Sequence, residues 1–274
     1  MEAVAITEAD GAERVVMQQM QPMQQVQTKW VDELKLSADE LGKLSLRAYR
    51  HTRTRRIPES VLTTFVELIN ASFSGEQHTH NFGDKPRYAS TEELLRDLDR
   101  DRGAWVLMLF AADKAEAEIE TALGPGPERK EVAVAGAKLT LSGEGMDGGE
   151  GYTLVNPSYR AREHAEQLPT FWLGALGSIA PGAGATLISH IKTFLSTLTS
   201  QKPYRLRAYT VAQWGQSDPR YTIPPHSSLL SWFQSQHFEV LNYSWKPPGT
   251  WGSFYGACLC AIEYVHATDD DRST

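Results

Sequence analysis

The stretch TFWLGALGSIAPGAGATLISHIKTFLSTL (170–198) decides the fold. Residues 170–179 form a largely apolar run of strand length, followed at once by Pro181, Gly182 and Gly184. Leu187, Ile188, Ile191, Phe194, Leu195 and Leu198 then recur at the spacing of one helical face. A strand therefore runs through a glycine turn straight into a helix. Glycine lets backbone approach a ligand closely. The N–H groups of the following first turn lack partners within the helix, and the helix dipole favours an anion there. The unit reads as a diphosphate cradle. It is not a Walker loop, because no Gly-Lys-Ser/Thr follows, and Leu187 stands where a dinucleotide fingerprint needs a third glycine.

Outward from this unit, strand and helix patterns alternate. LSLRAYR (44–50) and WVLMLFAA (105–112) read as strands. Val61, Leu62, Phe65, Leu68 and Ile69 make a helical stripe after Pro58, and Ser90 with Glu93 caps a second helix over 91–98. EVAVAGAKLTL (131–141) is strand-like, with a bulge expected at Gly136. Downstream come a strand at 204–211, a short helix at 227–236, a strand at 237–245 and a long strand at 254–265. This order predicts one mixed α/β sheet with helices on both faces, over 41–266, with loop insertions at 113–130, 142–168 and 213–226. Residues 1–40, with the glutamine-rich MQQMQPMQQVQ (17–27), read as a weakly ordered extension, and 267–274 as an acidic tail.

Charge and composition narrow the function. The chain has 27 Lys and Arg against 34 Asp and Glu, a net charge of −7, which argues against a dedicated nucleic-acid partner. No apolar run reaches the ~20 residues of a membrane span, and the N-terminus lacks the basic start of a leader, so a cytoplasmic protein is expected. Cys258 and Cys260, two apart in one strand, share a face and read as reduced, buried small hydrophobes. The basic run Arg47, Arg50, Arg53, Arg55 and Arg56 reads as a solvated strand-to-helix connection.

The order and spacing of these elements over 44–265 resemble the GNAT superfamily of N-acetyltransferases, whose central strand precedes Arg/Gln-x-x-Gly-x-Gly/Ala and a long helix. Ile179-Ala180-Pro181-Gly182-Ala183-Gly184 takes that place here, and His237-Phe238-Glu239 takes that of the family's Gly-Phe-Glu. The resemblance implies an acyl-CoA-dependent N-acetyltransferase passing an acetyl group directly from acetyl-CoA to a small-molecule amine. It implies cofactor contacts from Leu176, Ser178, Ile179, Gly182, Ala183, Gly184, Ala185 and Thr186. Tyr209 is the candidate acid for the leaving thiolate, and His226 the candidate base. His78 and His80 fall where the family covers its acceptor site; as a pair they are too few to hold a metal. Three departures stand out: Ile179 replaces the family's Arg or Gln, Phe233 replaces its frequent acidic tyrosine, and His237 replaces the glycine, implying a different turn. The same scaffold without acetyl transfer is the alternative, as a binding or regulatory protein or as an enzyme for other chemistry on a hydrophobic substrate.

Overall fold

The computed structural model describes residues 5–7, 13–15, 35–101, 103–112, 131–144, 146–147, 149, 151–159, 167–215 and 228–267. The chain forms two units, Met1–Glu33 and Leu34–Thr274. In the first, β1 (Ala5–Thr7) pairs antiparallel with β2 (Glu13–Val15). The glutamine-rich run lies outside the described residues, as do 113–130, 216–227 and 268–274.

The second unit opens on α1 (Ala38–Gly42), a helix the sequence pattern did not announce. Ser37 Oγ accepts from the Glu40 N–H while the Glu40 carboxylate accepts from the Ser37 N–H, so two orphan donors are satisfied reciprocally. Leu36 and Leu41 pack against the main core. The elements that follow are β3 (Ser45–His51), α2 (Glu59–Ser72), α3 (Glu76–Phe82), α4 (Thr91–Asp99), β4 (Ala104–Ala112), β5 (Glu131–Thr140), β6 (Tyr152–Val155), β7 (Thr170–Ser178), α5 (Ala183–Leu198), β8 (Tyr204–Trp214), α6 (Ser228–Ser235), β9 (Glu239–Lys246) and β10 (Ala257–His266).

The sheet is mixed and eight-stranded, in the order β3-β4-β5-β7-β8-β10-β9-β6. Each neighbouring pair is antiparallel except β7 with β8, which run parallel across the α5 connection. The helices divide between the two faces. Leu187, Ile188, Ile191 and Leu195 of α5, with Leu230 and Phe233 of α6, bury against Leu173, Leu206, Ala208, Cys258, Cys260 and Ile262. Leu62, Phe65, Leu68 and Ile69 of α2, with Leu94 and Leu98 of α4, cover Val106, Met108 and Phe110 on the other face. The α5 stripe therefore packs as its spacing predicts, except that Leu198 at the helix end is exposed. The two cysteines are buried and unpaired, and burial pushes the Cys258 thiol up to about 12.

Two expectations change. Gly136 is not itself bulged: it pairs with Met108 and with Gly177. A Cβ at Gly136 would lie 3.0 Å from Leu68 Cδ2 and 3.1 Å from Phe65 Cε2, so the glycine lets α2 settle close onto the sheet. The stretch 142–168 is not loop throughout, because β6 adds an eighth strand along β9.

Candidate active site

β7 and β8 pair only from Thr170 with Arg205 to Leu173 with Ala208. Beyond that point β7 stays with β5, Gly177 opposite Gly136 and Ser178 opposite Ala135. β8 stays with β10 up to Trp214 opposite Ala257. The two central strands thus part company in the middle of the sheet. The cause is a bulge in β7: its register against β5 slips between Gly136 and Lys138, and Ala175 takes a left-handed φ of 47°. A bulge bends its strand and re-aims the side chains after it. Leu173 and Leu176 accordingly pack toward α5, while Ala175 and Ile179 pack toward α2. Between the diverging strands lie backbone groups released from the ladder, which need hydrogen-bond partners.

The end of β7 leads directly to the helix. Ser178 Oγ donates to the Ala180 carbonyl (2.8 Å) and the Ala183 N–H reaches the same oxygen (3.2 Å), closing the turn. Gly182 holds a left-handed φ of 82° as N-cap, and its carbonyl accepts from the Thr186 N–H (3.2 Å) and from Thr186 Oγ1 (3.3 Å). The Gly184 and Ala185 N–H groups fall in the first turn, where a helix offers no acceptor. No acidic side chain stands in that turn. The walls are apolar: a Cβ at Gly182 would meet Leu41 Cδ1 at 2.8 Å, and one at Gly184 would lie 3.6 Å from Trp232. Gly182, Gly184 and Ala185 lie together at this turn, with Leu176 and Ser178 leading into it; Thr186 follows with its N–H and hydroxyl both on the Gly182 carbonyl. Ile179 and Ala183 are not. The Ile179 N–H is bonded to the Val134 carbonyl and its side chain joins the α2-side core, while Ala183 is fully buried with its N–H used in the turn.

Tyr209 is the first β8 residue past the last parallel pair, so it stands at the vertex of the splay. Its ring stacks on Trp172 with centroids 5.5 Å apart and planes at 13°. Burial raises the phenol above its ordinary value, and the carboxylate of Asp147 adds to this while Arg207 opposes it. Gly143 and Met146 cover the vertex: a Cβ at Gly143 would run into the Trp172 ring, and one at Gly174 would lie 2.7 Å from Met146 Cε and 3.3 Å from Lys138 Cε. Behind these groups are two ion pairs. Lys138 bonds Asp97, and Arg207 Nε donates to Glu263 Oε2 at 2.6 Å with its guanidinium 5.8 Å from the Trp172 ring.

The remaining candidates are placed as follows. His226 lies outside the described residues. His78 stacks on Phe82 at 4.8 Å and His80 on Tyr255 at 5.2 Å, while Phe82 meets Trp214 edge-on at the end of β8. Both histidines serve an aromatic cluster, and among the described residues no group of three His, Cys, Asp or Glu is arranged to hold a metal. Phe233 is core, flanked by Trp232 and Phe238. His237 takes a left-handed φ of 65°, the conformation a glycine adopts without strain, so the turn it was expected to alter is open to both residues. Sequence reading missed Met146, Asp147, Lys138 and the Arg207–Glu263 pair. The pair did leave a signal: charged residues inside the apolar strands YRLRAYTV and ACLCAIEYV are buried only when partnered.

No family model matches the chain, and no curated protein matches it. Among solved structures, a domain from Methanocaldococcus jannaschii matches with a TM-score of 0.38 at 10% identity, over 81% of this chain and 99% of that one. The ribosomal-protein-alanine N-acetyltransferase from Brucella melitensis matches at 0.37 and 13%, over 77% and 98%. The aminoglycoside 6'-N-acetyltransferase from Enterococcus faecium matches at 0.39 and 8%, over 81% and 99%.

Proposed function

We propose that this chain is a divergent GNAT-type acyltransferase that moves the acetyl group of acetyl-CoA to the amine of a small molecule. The observation that carries the reading is the alignment of two features: the mid-sheet splay after Leu173 and Ala208, and the Gly182 turn with free first-turn amides of α5 at the end of the same strand. In this reading the Gly184 and Ala185 amides take the diphosphate. The released backbone between β7 and β8 takes the pantetheine amides, which brings the thioester to the vertex. The acceptor's ammonium first gives one proton to solvent or a base; the neutral amine then attacks the carbonyl carbon, the C–N bond forms and the C–S bond breaks. The amine loses its extra proton to solvent or a base, and Tyr209 donates to the departing thiolate. A phenol held above its ordinary value by burial is protonated at neutral pH, as a donor must be.

Calorimetry with acetyl-CoA tests the reading. Dissociation in the micromolar range is expected, on the order of −7 kcal/mol; no heat at hundreds of micromolar overturns it. With an accepted amine, Tyr209→Phe is expected to lower kcat about a hundredfold while leaving the Kd for acetyl-CoA within about twofold. Free-thiol release read by a chromogenic disulfide checks kcat. An unchanged kcat removes Tyr209 from the chemistry.

A further inference from the structure

We propose that Asp147 is the anchor for the ammonium group of the acceptor, and that this acceptor is a primary amine carrying a compact apolar body. Charge balance at the vertex leads there. Among the described residues Lys138 pairs with Asp97 and Arg207 with the buried Glu263, while the buried Lys246 gives its Nζ to the Gly149 carbonyl. Asp147 is in none of these ion pairs. One of its oxygens accepts from the Gly149 N–H (3.1 Å), and no described Lys, Arg or His pairs with it. It is half-buried, so its carboxylate is not simply a solvated surface charge. Its place is fixed by its neighbours, since Met146 is seated on Gly174 of β7 and Gly143 on Trp172. The carboxylate is also close enough to Tyr209 to act on its phenol.

A half-buried carboxylate that no described cation pairs with favours a cationic ligand, because the ligand's ammonium supplies a direct partner. The surroundings set the rest of the ligand. Met146, Trp172 and Tyr209 present thioether and ring surface, suited to an aryl or branched alkyl body. A single unmatched carboxylate suits one ammonium rather than a polycation. The acyltransfer reading is needed only for what happens to the amine afterwards.

The experiment is calorimetric titration of the full chain with phenethylammonium chloride and, as a neutral isostere, 2-phenylethanol. The expected result is millimolar or tighter binding of the ammonium that falls at least tenfold in Asp147→Asn, with 2-phenylethanol bound equally by both proteins. Asparagine keeps an oxygen for the Gly149 N–H, and an unchanged melting temperature and unchanged acetyl-CoA affinity show that the variant is intact. Asp147→Glu retains most of the ammonium binding. Equal binding of the ammonium by parent and Asp147→Asn, or none by the parent, overturns the proposal. Failure of acetyl-CoA to bind the parent removes the acyltransfer reading and leaves the ammonium result standing.

Discussion

The Gly184→Asp variant is expected to melt no lower than the parent and to bind acetyl-CoA about a thousandfold more weakly, roughly 4 kcal/mol. The two effects have opposite signs because they come from the same feature. Gly184 lies in the first turn of α5, which has no acidic residue. An aspartate there interacts favourably with the positive end of the helix, worth about 0.3–1 kcal/mol, and removes a helical glycine that costs about as much. The space allows it: a Cβ at Gly184 would lie 3.6 Å from Trp232 and 3.7 Å from Ser178 Cβ, ordinary contact distances. The same carboxylate, however, occupies the field that would hold a diphosphate and accepts the N–H groups meant for it. Charge-assisted bonds of this kind contribute about 1.5–3 kcal/mol each, and repulsion between anions adds to their loss. Thermal melting and calorimetry check the two halves separately. Unchanged acetyl-CoA affinity would remove the first turn of α5 from the binding site, whatever the stability. Gly182→Ala makes a poorer probe, since its φ of 82° and the approach of Leu41 cost stability at the same time as affinity.

What the sequence made legible follows from what local pattern encodes. The α5 stripe and the apolar strands β4, β7, β8 and β10 were readable because burial of one face or of both writes a period into the chain. The glycine turn between β7 and α5 was readable because the left-handed φ of Gly182 has a residue preference. The elements that escaped carry no such imprint. β6 is exposed along its length and gains its place only by pairing with β9. α3 is one short run, EQHTHNF, bounded by Gly75 and Gly83, whose rings pack on other rings rather than along a stripe. The bulge at Ala175 is the most consequential omission. An alanine at φ 47° is imposed by the sheet around it, not by its own preference, and nothing in LGALG announces that β7 turns away from β8 there. Asp147 was hidden for a related reason: it lies in a glycine-rich loop, where only the closeness of Trp172 and Gly174 gives the residue a neighbourhood.

Removal of the Glu263 carboxylate is expected to have the largest effect on stability. Glu263 is 2% exposed and accepts from Arg207 Nε at 2.6 Å and from the Tyr159 hydroxyl at 2.9 Å, with Arg205 Nη1 at 3.8 Å. Glu263→Ala leaves Arg207 half-buried and Arg205 buried without that charge. Stripping one partner from a buried ion pair costs about 3–5 kcal/mol, which corresponds in a domain of this size to a fall in Tm of roughly 10 °C. Glu263→Gln, which keeps an acceptor for Arg207 and Tyr159, should lose about half as much. Urea unfolding measures both, and a Glu263→Ala variant within 1 kcal/mol of the parent would show the cluster to be dispensable. The cluster also has a signature in alkali. Burial and the Glu263 bond push the Tyr159 phenol up to about 12, so the folded state holds that proton more tightly than the unfolded chain, whose tyrosines titrate near 10. The resulting stability is complete below about pH 10 and is lost as pH rises toward 12. Glu263→Ala should bring Tyr159 part of the way back and narrow that window, leaving the share due to burial. The consequence reaches the vertex of the splay: Glu263 holds Arg207, Arg207 lies against Trp172, and Trp172 is the platform on which Tyr209 stacks. Loss of the carboxylate should therefore loosen the proposed proton donor before the fold gives way, lowering kcat in conditions where the protein is still native.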